Sequence, residues 1–305
     1  GRGSAGSAVN TLVAVDWGTS SLRAARLGPR GEVLEERSSP QGILHVPPEG
    51  FATVFEALCA DWTRAGSTFC LMSGMVGSRQ GWLEAPYCPC PAGFDSLTRH
   101  LAWVQPGRTA IVPGLSCERG NVPDVMRGEE VQVFGALQLL GLEDGLLVLP
   151  GTHSKWVRVE RGHITSFSTF MTGEFYSLLR QHSLLARTLP AEDGPLDIAA
   201  FERGLALARS GGSLLASAFS VRTLALFDRM ATTALPSYLS GLVIGEELHA
   251  SLVPGDQNPP VVVIGSPALT ERYVHALRFS GVEALPVGAQ ATWQGLWAIA
   301  RNLNL

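Results

Sequence analysis

The sequence predicts an α/β protein built as two similar halves, and three observations carry that expectation. Apolar strand-like runs alternate with helix-spaced segments along most of the chain. A strand–turn–strand unit near the start returns later: Gly18-Thr-Ser-Ser-Leu-Arg-Ala-Ala-Arg-Leu27 aligns without a gap on Gly151-Thr-His-Ser-Lys-Trp-Val-Arg-Val-Glu160. The chain has 305 residues, 46% of them hydrophobic, which is enough core for two domains.

The first half opens with Val13-Ala-Val-Asp16-Trp-Gly18-Thr19-Ser20-Ser21, where an apolar run meets an acid and a small-residue turn. A second strand leads away over 22–27, so the unit reads as a hairpin. Outward-pointing N–H and hydroxyl groups in such a turn can hold phosphate oxygens. Asp16 at its mouth suits the magnesium that travels with a nucleotide. Taken alone, the same residues read more readily as an ordinary hairpin with a capping aspartate. A turn at 28–31 and a third strand over 32–38 follow. Phe51, Phe55, Leu58 and Trp62 are helix-spaced and predict an amphipathic helix over 51–64. A short strand over 68–72 ends in Ser73-Gly74-Met75-Val76-Gly77-Ser78-Arg79-Gln80-Gly81-Trp82, too polar and glycine-rich to be expected in the core. After an irregular stretch at 86–93 and a strand at 109–112, Asp124 and Arg127-Gly128-Glu129-Glu130 lead into a helix through 140. The helix dipole favours acids in a first turn, which by itself accounts for the glutamate pair.

The second half begins with a buried-type strand at 146–149, the turn Gly151-Thr152-His153-Ser154, and strands over 156–160 and beyond. Helices are predicted over 177–185, 198–208, 213–226 and 237–247, the last holding Gly241 and Gly245. A strand at 260–264 runs into Gly265-Ser266-Pro267 and a helix at 270–279; a strand at 283–286 and a helix at 288–300 close the chain. Strand–Gly–Ser–helix is either a plain turn or a ligand site at the carboxyl end of a strand.

Composition narrows the partners. Lys+Arg number 23 against 27 Asp+Glu, for a net charge of -4 with no basic run, so nucleic acid is not expected. No apolar stretch reaches the roughly 18 residues a membrane span needs, so no membrane partner is expected. Residues 1–7 lack the apolar core of a signal peptide and read as a frayed end or a non-native remnant. The five cysteines are scattered, and Cys88-Pro-Cys90 has no second pair at zinc spacing. Reduced thiols and a cytoplasmic location are the expectation.

Two Gly-Thr-x-Ser hairpins, an acid-bearing helix start before the second, and a late strand–Gly–Ser–helix form an ordered set. That set resembles the sugar kinase, Hsp70 and actin superfamily. More closely, the chain is similar to the 2-dehydro-3-deoxygalactonokinase family over about 12–300. The pieces that carry the likeness are Val15-Asp-Trp-Gly-Thr-Ser-Ser21, Ser73-Gly-Met-Val-Gly-Ser78, Met126-Arg-Gly-Glu-Glu130 and Leu149-Pro-Gly-Thr-His-Ser-Lys-Trp156. The resemblance implies an α/β fold of two ribonuclease-H-like (actin-like ATPase) domains with a cleft between them and closure around substrate. The first would comprise 9–140 plus 290–305, with the first phosphate hairpin and the sugar-acid site. The second would comprise 141–289, with the second phosphate hairpin and the adenosine site.

The implied reaction is ATP-dependent phosphorylation of 2-dehydro-3-deoxy-D-galactonate at its 6-hydroxyl, with Mg²⁺. A kinase of another sugar, sugar acid or polyol is the alternative, and a nucleotide-gated binding protein of the actin or Hsp70 kind is a third reading. Asp16, Gly18, Thr19 and Ser20 would form the first phosphate hairpin, with Asp16 near magnesium. Gly151, Thr152, His153 and Ser154 would form the second. Gly241, Gly245, Gly265 and Ser266 would border adenine and ribose. The family position of the general base holds Glu129 and Glu130 where related sugar kinases commonly carry aspartate; Glu129, directly after Gly128, is favoured. Ser73, Gly74, Ser78 and Arg79 would receive the sugar acid, Arg79 by gripping its carboxylate. Thr172, Gly173, Glu174 and Tyr176 are candidates for the opposite wall. Lys155 reads either as a phosphate ligand or as a surface strand lysine, and a homodimer is left open.

Overall fold

In the computed structural model, which describes residues 11–64, 68–256 and 260–303, the chain opens as an antiparallel meander. Its strands are β1 (Leu12–Trp17), β2 (Leu22–Leu27) and β3 (Val33–Ser39). Residues 1–7, and the expected domain's outermost positions 9–10 and 304–305, lie outside the described residues. Helix α1 (Phe51–Thr63) buries Phe51, Phe55, Cys59 and Trp62, one per turn. β4 (Phe69–Ser73) lies parallel to β1 and sets Ser73 opposite Asp16. β5 (Cys88–Pro89), α2 (Phe94–Arg99), β6 (Ala102–Gln105) and β7 (Thr109–Ile111) follow. A hairpin of β8 (Leu115–Arg119) and β9 (Val122–Met126) then precedes α3 (Glu129–Leu140). The first sheet runs β3-β2-β1-β4-β7-β6, and β5-β8-β9 form a small separate one.

The second series comprises β10 (Gly145–Leu149), β11 (Ser154–Glu160), β12 (His163–Phe170), α4 (Thr172–His182) and α5 (Ile198–Arg209). It continues with α6 (Leu214–Ser217), α7 (Ser220–Leu226), α8 (Leu235–Ser251), β13 (Val261–Ile264), α9 (Pro267–Phe279), β14 (Ala284–Val287) and α10 (Gln290–Arg301). The helix expected over 213–226 is thus two short ones. Its sheet runs β12-β11-β10-β13-β14, with β10, β13 and β14 parallel. Each sheet therefore places the third strand of its series beside the second, then the first, then the two parallel strands that follow a crossover.

The chain divides into two compact units, 1–144 with 157–167 and 289–305, and 145–156 with 168–288. Unlike the expected split, 157–167 groups with the first unit, where Ala92 and Ile164 exchange backbone hydrogen bonds of 3.0 and 2.8 Å. In the first unit α3 and α10 touch backbone to backbone. A Cβ on Gly135 would stand 1.7 Å from the Ala291 carbonyl oxygen, and one on Gly295 would stand 1.9 Å from that of Val131. In the second unit α5 and α8 approach the same way, with a Cβ on Gly241 falling 2.1 Å from the Phe201 oxygen. Gly245 abuts the Ala208 methyl, where a Cβ would lie at 2.7 Å. Gly241 and Gly245, expected beside adenosine, are spent on helix packing because only hydrogen fits there.

Among the described residues no helix is long and apolar enough to cross a membrane. All five cysteines are free, and no cluster of metal-ligating side chains occurs among the described residues.

Candidate active site

In the first unit, β1 delivers Asp16 to the rim of the sheet and a tight turn follows, closed by the Gly18 N–H donating to the Ser21 oxygen at 2.9 Å. The carbonyls of Gly18 and Thr19 face inward and accept from Ile43 and Leu44 (2.9 and 3.2 Å). Thr19, Ser20 and Ser21 are exposed. Arg23 donates to Asp16 Oδ2 at 2.5 Å and lies over the Trp293 ring at 5.4 Å. Both members of that pair keep about a third of their side-chain surface (37% and 30%) in solvent.

Two glycines bring the loop after β4 and the start of α3 up to Asp16. Gly74 has φ +100° and Gly128 φ +108°, in the region where a side chain is strained. A Cβ on Gly74 would lie 2.8 Å from the Trp17 oxygen and 3.5 Å from Asp16 Oδ1, and one on Gly128 would lie 3.5 Å from the Gly74 Cα. Across this glycine floor stands Glu129, half-buried, its Oε2 accepting from the Arg127 N–H at 3.0 Å. Glu130 is fully buried, and its Oε2 accepts from the Gly128 N–H at 2.6 Å. Burial first, and the neighbouring Glu129 charge second, push its carboxyl up to about 8, so it is neutral at pH 7. Glu130 is thereby removed as the base: it has no exposed surface with which to meet a substrate.

The Ser73–Trp82 stretch departs from expectation. Ser73 through Ser78 is largely buried, and Ser78 Oγ donates to the Met75 oxygen at 2.6 Å. Arg79, in contrast, is 84% exposed and pairs with Glu84 at 3.3 Å. The cation that packs against this loop is Arg127. Its Nη2 donates to the Ala85 oxygen at 2.9 Å, its guanidinium lies 4.5 Å from the Tyr87 ring centre, and a Cβ on Gly77 would come within 3.0 Å of Nη1. Its Nε and Nη1 are buried without a hydrogen-bond partner. No local pattern in Met126–Glu130 singles out Arg127, because its seat is made by Gly77, Ala85 and Tyr87, all distant in sequence.

In the second unit, Thr152 and His153 are exposed at the tip of the turn and Ser154 is buried beneath it. The start of α4 docks on this turn. Gly173 lies so close that a Cβ would meet the Gly151 oxygen at 2.5 Å, and the Glu174 N–H donates to the Thr152 oxygen at 3.1 Å. His153 Nε2 and Glu174 Oε1 are 2.9 Å apart. Thr172 turns inward, donating a short hydrogen bond to Glu247. Thr172 and Glu174, expected on a sugar-binding wall, thus hold the second turn. Lys155 is buried, its Nζ donating to Thr169 Oγ1 at 2.7 Å, so it is no surface lysine.

Beside this turn opens a cavity of about 260 Å³ bordered by Gly151, Gly173, Tyr176, Ser240, Leu269 and Arg272. Gly265 sits against Pro150 and Thr270 at ordinary contact distance, and Ser266 precedes α9, which forms one wall of the cavity. α8 contributes Ser240, Val243 and Ile244 to the opposite wall; Gly241 is turned away.

A sheet order repeated in both units, each with a small-residue turn after its first strand, defines an actin-like ATPase fold of the sugar-kinase class. The chain belongs to the 2-keto-3-deoxy-galactonokinase family, whose model matches residues 16–299. It is 37% identical to a protein of Rhizobium meliloti (strain 1021) named a probable 2-dehydro-3-deoxygalactonokinase, over 95% of this chain and 96% of that one. The 2-dehydro-3-deoxygalactonokinase of Escherichia coli (strain K12) is 35% identical, over 94% and 97% of the two chains. A solved structure from Sinorhizobium meliloti, described as a candidate 2-dehydro-3-deoxygalactonokinase, superposes with a TM-score of 0.86 at 36% identity. That match covers 95% of this chain and 98% of the other.

Proposed function

We propose that the protein transfers the γ-phosphoryl group of ATP to the 6-hydroxyl of 2-dehydro-3-deoxy-D-galactonate, giving the 6-phosphate and ADP. The observation that supports this reading most is the half-buried Glu129 at a helix start whose Gly128 packs on Gly74, the glycine that in turn adjoins Asp16. Phosphoryl transfer asks the protein mainly to position the reactants and neutralise charge. Thr152 and His153 offer exposed N–H and side-chain donors to phosphate oxygens, with Gly151 and Ser154 shaping the turn. Gly18, Thr19 and Ser20 offer the corresponding donors on the first unit. The second unit's cavity takes the adenosine, with Gly265 and Ser266 leading into α9, which forms one of its walls. Glu129 accepts the proton of the 6-hydroxyl as that oxygen attacks. Arg127, with Ser73 and Gly74 close by, supplies charge for the acceptor's carboxylate.

Asp16 fits a magnesium ion: it is a partly exposed carboxylate, Arg23 engages Oδ2, and Oδ1 lies beside Gly74, which has no side chain. Magnesium is commonly held by one or two carboxylates together with phosphate oxygens. When bound it would supply charge neutralisation on the phosphates.

A coupled ADP-release assay over 2-keto-3-deoxy acids, neutral sugars and polyols tests the proposal, with phosphorus NMR placing the ester. Turnover dependent on the keto-deoxy acid and a C6 ester are expected. Turnover with neutral sugars alone would overturn the substrate, and ATP hydrolysis indifferent to any acceptor would overturn the kinase.

A further inference from the structure

α8 is apolar along most of its length, yet Glu247 lies in it with 1% of its surface exposed. A carboxyl group buried this deeply is costly unless donors surround it. Three do. Thr172 Oγ1 and Tyr273 OH (2.8 Å) donate to Oε1, and Trp156 Nε1 donates to Oε2 at 2.8 Å. No lysine or arginine forms an ion pair with it among the described residues. Since Tyr273 spends its proton on Glu247, its oxygen is left to accept, and Ser154 Oγ lies 3.1 Å from it. One carboxyl group therefore gathers hydrogen bonds from β11, α4 and α9.

The partners are not scattered through the core. Ser154 is the last residue of the turn, directly after His153. Thr172 directly precedes Gly173, the residue packed against the Gly151 oxygen. Tyr273 and Thr172 also border the cavity beside the turn. Glu247 thus touches neither exposed turn residue but is tied through Tyr273 to Ser154 at the end of the turn and through Thr172 to the start of α4 that docks on it, and so joins the two walls that α8 and α9 give the cavity. A buried carboxyl group serving only to satisfy itself would not need donors from the very segments packed around one surface turn.

We infer that Glu247 is a positioning residue for nucleotide phosphates: through Thr172 and the Tyr273–Ser154 relay it sets the second turn at a fixed height over the nucleotide cavity. This rests on the kinase reading above. The turn's exposed donors are useful only at a defined distance from the phosphates, and misplacement by about 1 Å can cost some hundredfold in rate. Glu247 has no such lever on the acceptor, whose proposed groups are on the first unit.

The test compares Glu247→Gln, Tyr273→Phe and Ser154→Ala with the unaltered protein. KM for ATP, KM for the keto-deoxy acid and kcat are measured together with thermal unfolding with and without MgATP. Glu247→Gln sets an amide N–H₂ against hydroxyl and indole donors, and kcat/KM for ATP is expected to fall about tenfold or more. KM for the acid is expected to stay within about twofold, and the MgATP-induced rise in melting temperature to shrink. Ser154→Ala cuts the relay at its turn end and Tyr273→Phe removes the relay with one of the three donors to Glu247; both are expected to give a smaller loss in the same direction, which keeps the test alive should Glu247→Gln not fold. Wild-type ATP parameters in the folded variants would overturn the inference, as would equal losses for ATP and acid. If the unaltered protein shows no MgATP-induced stabilisation and no turnover, the kinase reading itself has failed, and the inference with it.

Discussion

Glu129 and Glu130 are consecutive on the first turn of α3, yet solvent reaches one and not the other. Their chemistry diverges accordingly. Glu129→Ala should lower kcat by about two orders of magnitude or more while leaving the fold intact; near wild-type turnover would reassign the base. Glu130 retains its proton up to about 8 in the native state, whereas the same carboxyl in an unfolded chain ionises near 4.5. Between those values the native state holds a proton the unfolded state has released, so stability falls as pH rises through that window. Glu130→Gln, an isostere of the neutral acid, should flatten this fall, the difference reaching a few kcal/mol by pH 8 to 9. Denaturant unfolding at pH 5 and pH 8.5 measures it, and parallel pH profiles for the two proteins would refute it. Arginines 79 and 127 are separable in the same spirit. Arg127→Lys loses the planar fork and its seat on Tyr87 and should raise the acceptor KM about tenfold. Arg79→Ala, at an exposed position, should leave that KM within about twofold. The reverse pattern would return the carboxylate to Arg79.

At the level of elements, the position of Glu129 depends on how closely α3 can lie on α10. Gly295→Ala would drive a methyl group into the Val131 carbonyl and force the two helices apart. Overpacking of this kind costs about 1–3 kcal/mol, sometimes more, and here the strain falls on the helix whose first residue is the proposed base. The expected result is a lower unfolding midpoint together with a reduced kcat; a variant with a wild-type midpoint would show that the crossing relaxes freely. The paired turns are elements of the same kind. Their repetition in the sequence foretold both, because a turn needing small residues and outward donors tolerates few alternatives. β8 and β9 carry no such local signal. Leu115–Arg119 and Val122–Met126 carry charge and a proline, and their strand character comes from pairing with each other and with β5 rather than from intrinsic preference.

For the molecule as a whole, ligand binding and chemistry are assigned to different residues, and linkage can separate them. MgATP at about a hundred times its dissociation constant should stabilise the native state by about 2.7 kcal/mol. Glu129→Ala should keep that increment, since the proposed base is not among the residues proposed to hold the nucleotide or its metal. Loss of stabilisation in that variant, measured by thermal unfolding, would place Glu129 in nucleotide binding instead.

The amino-acid sequence alone determined the α/β class, the repeated hairpin, the order of most strands and helices, and the short pieces that carry the family likeness. These follow from local periodicity, turn chemistry and residue order, which need no knowledge of what lies across the core. The tertiary structure decided which candidate residues are available for chemistry. It buried Glu130 and turned Thr172 inward, left Arg79 in solvent, gave Gly241 and Gly245 to helix packing, and brought Arg127 and Glu247 into view. Exposure and close approach are properties of residues distant in sequence, set by three-dimensional packing rather than by any local pattern.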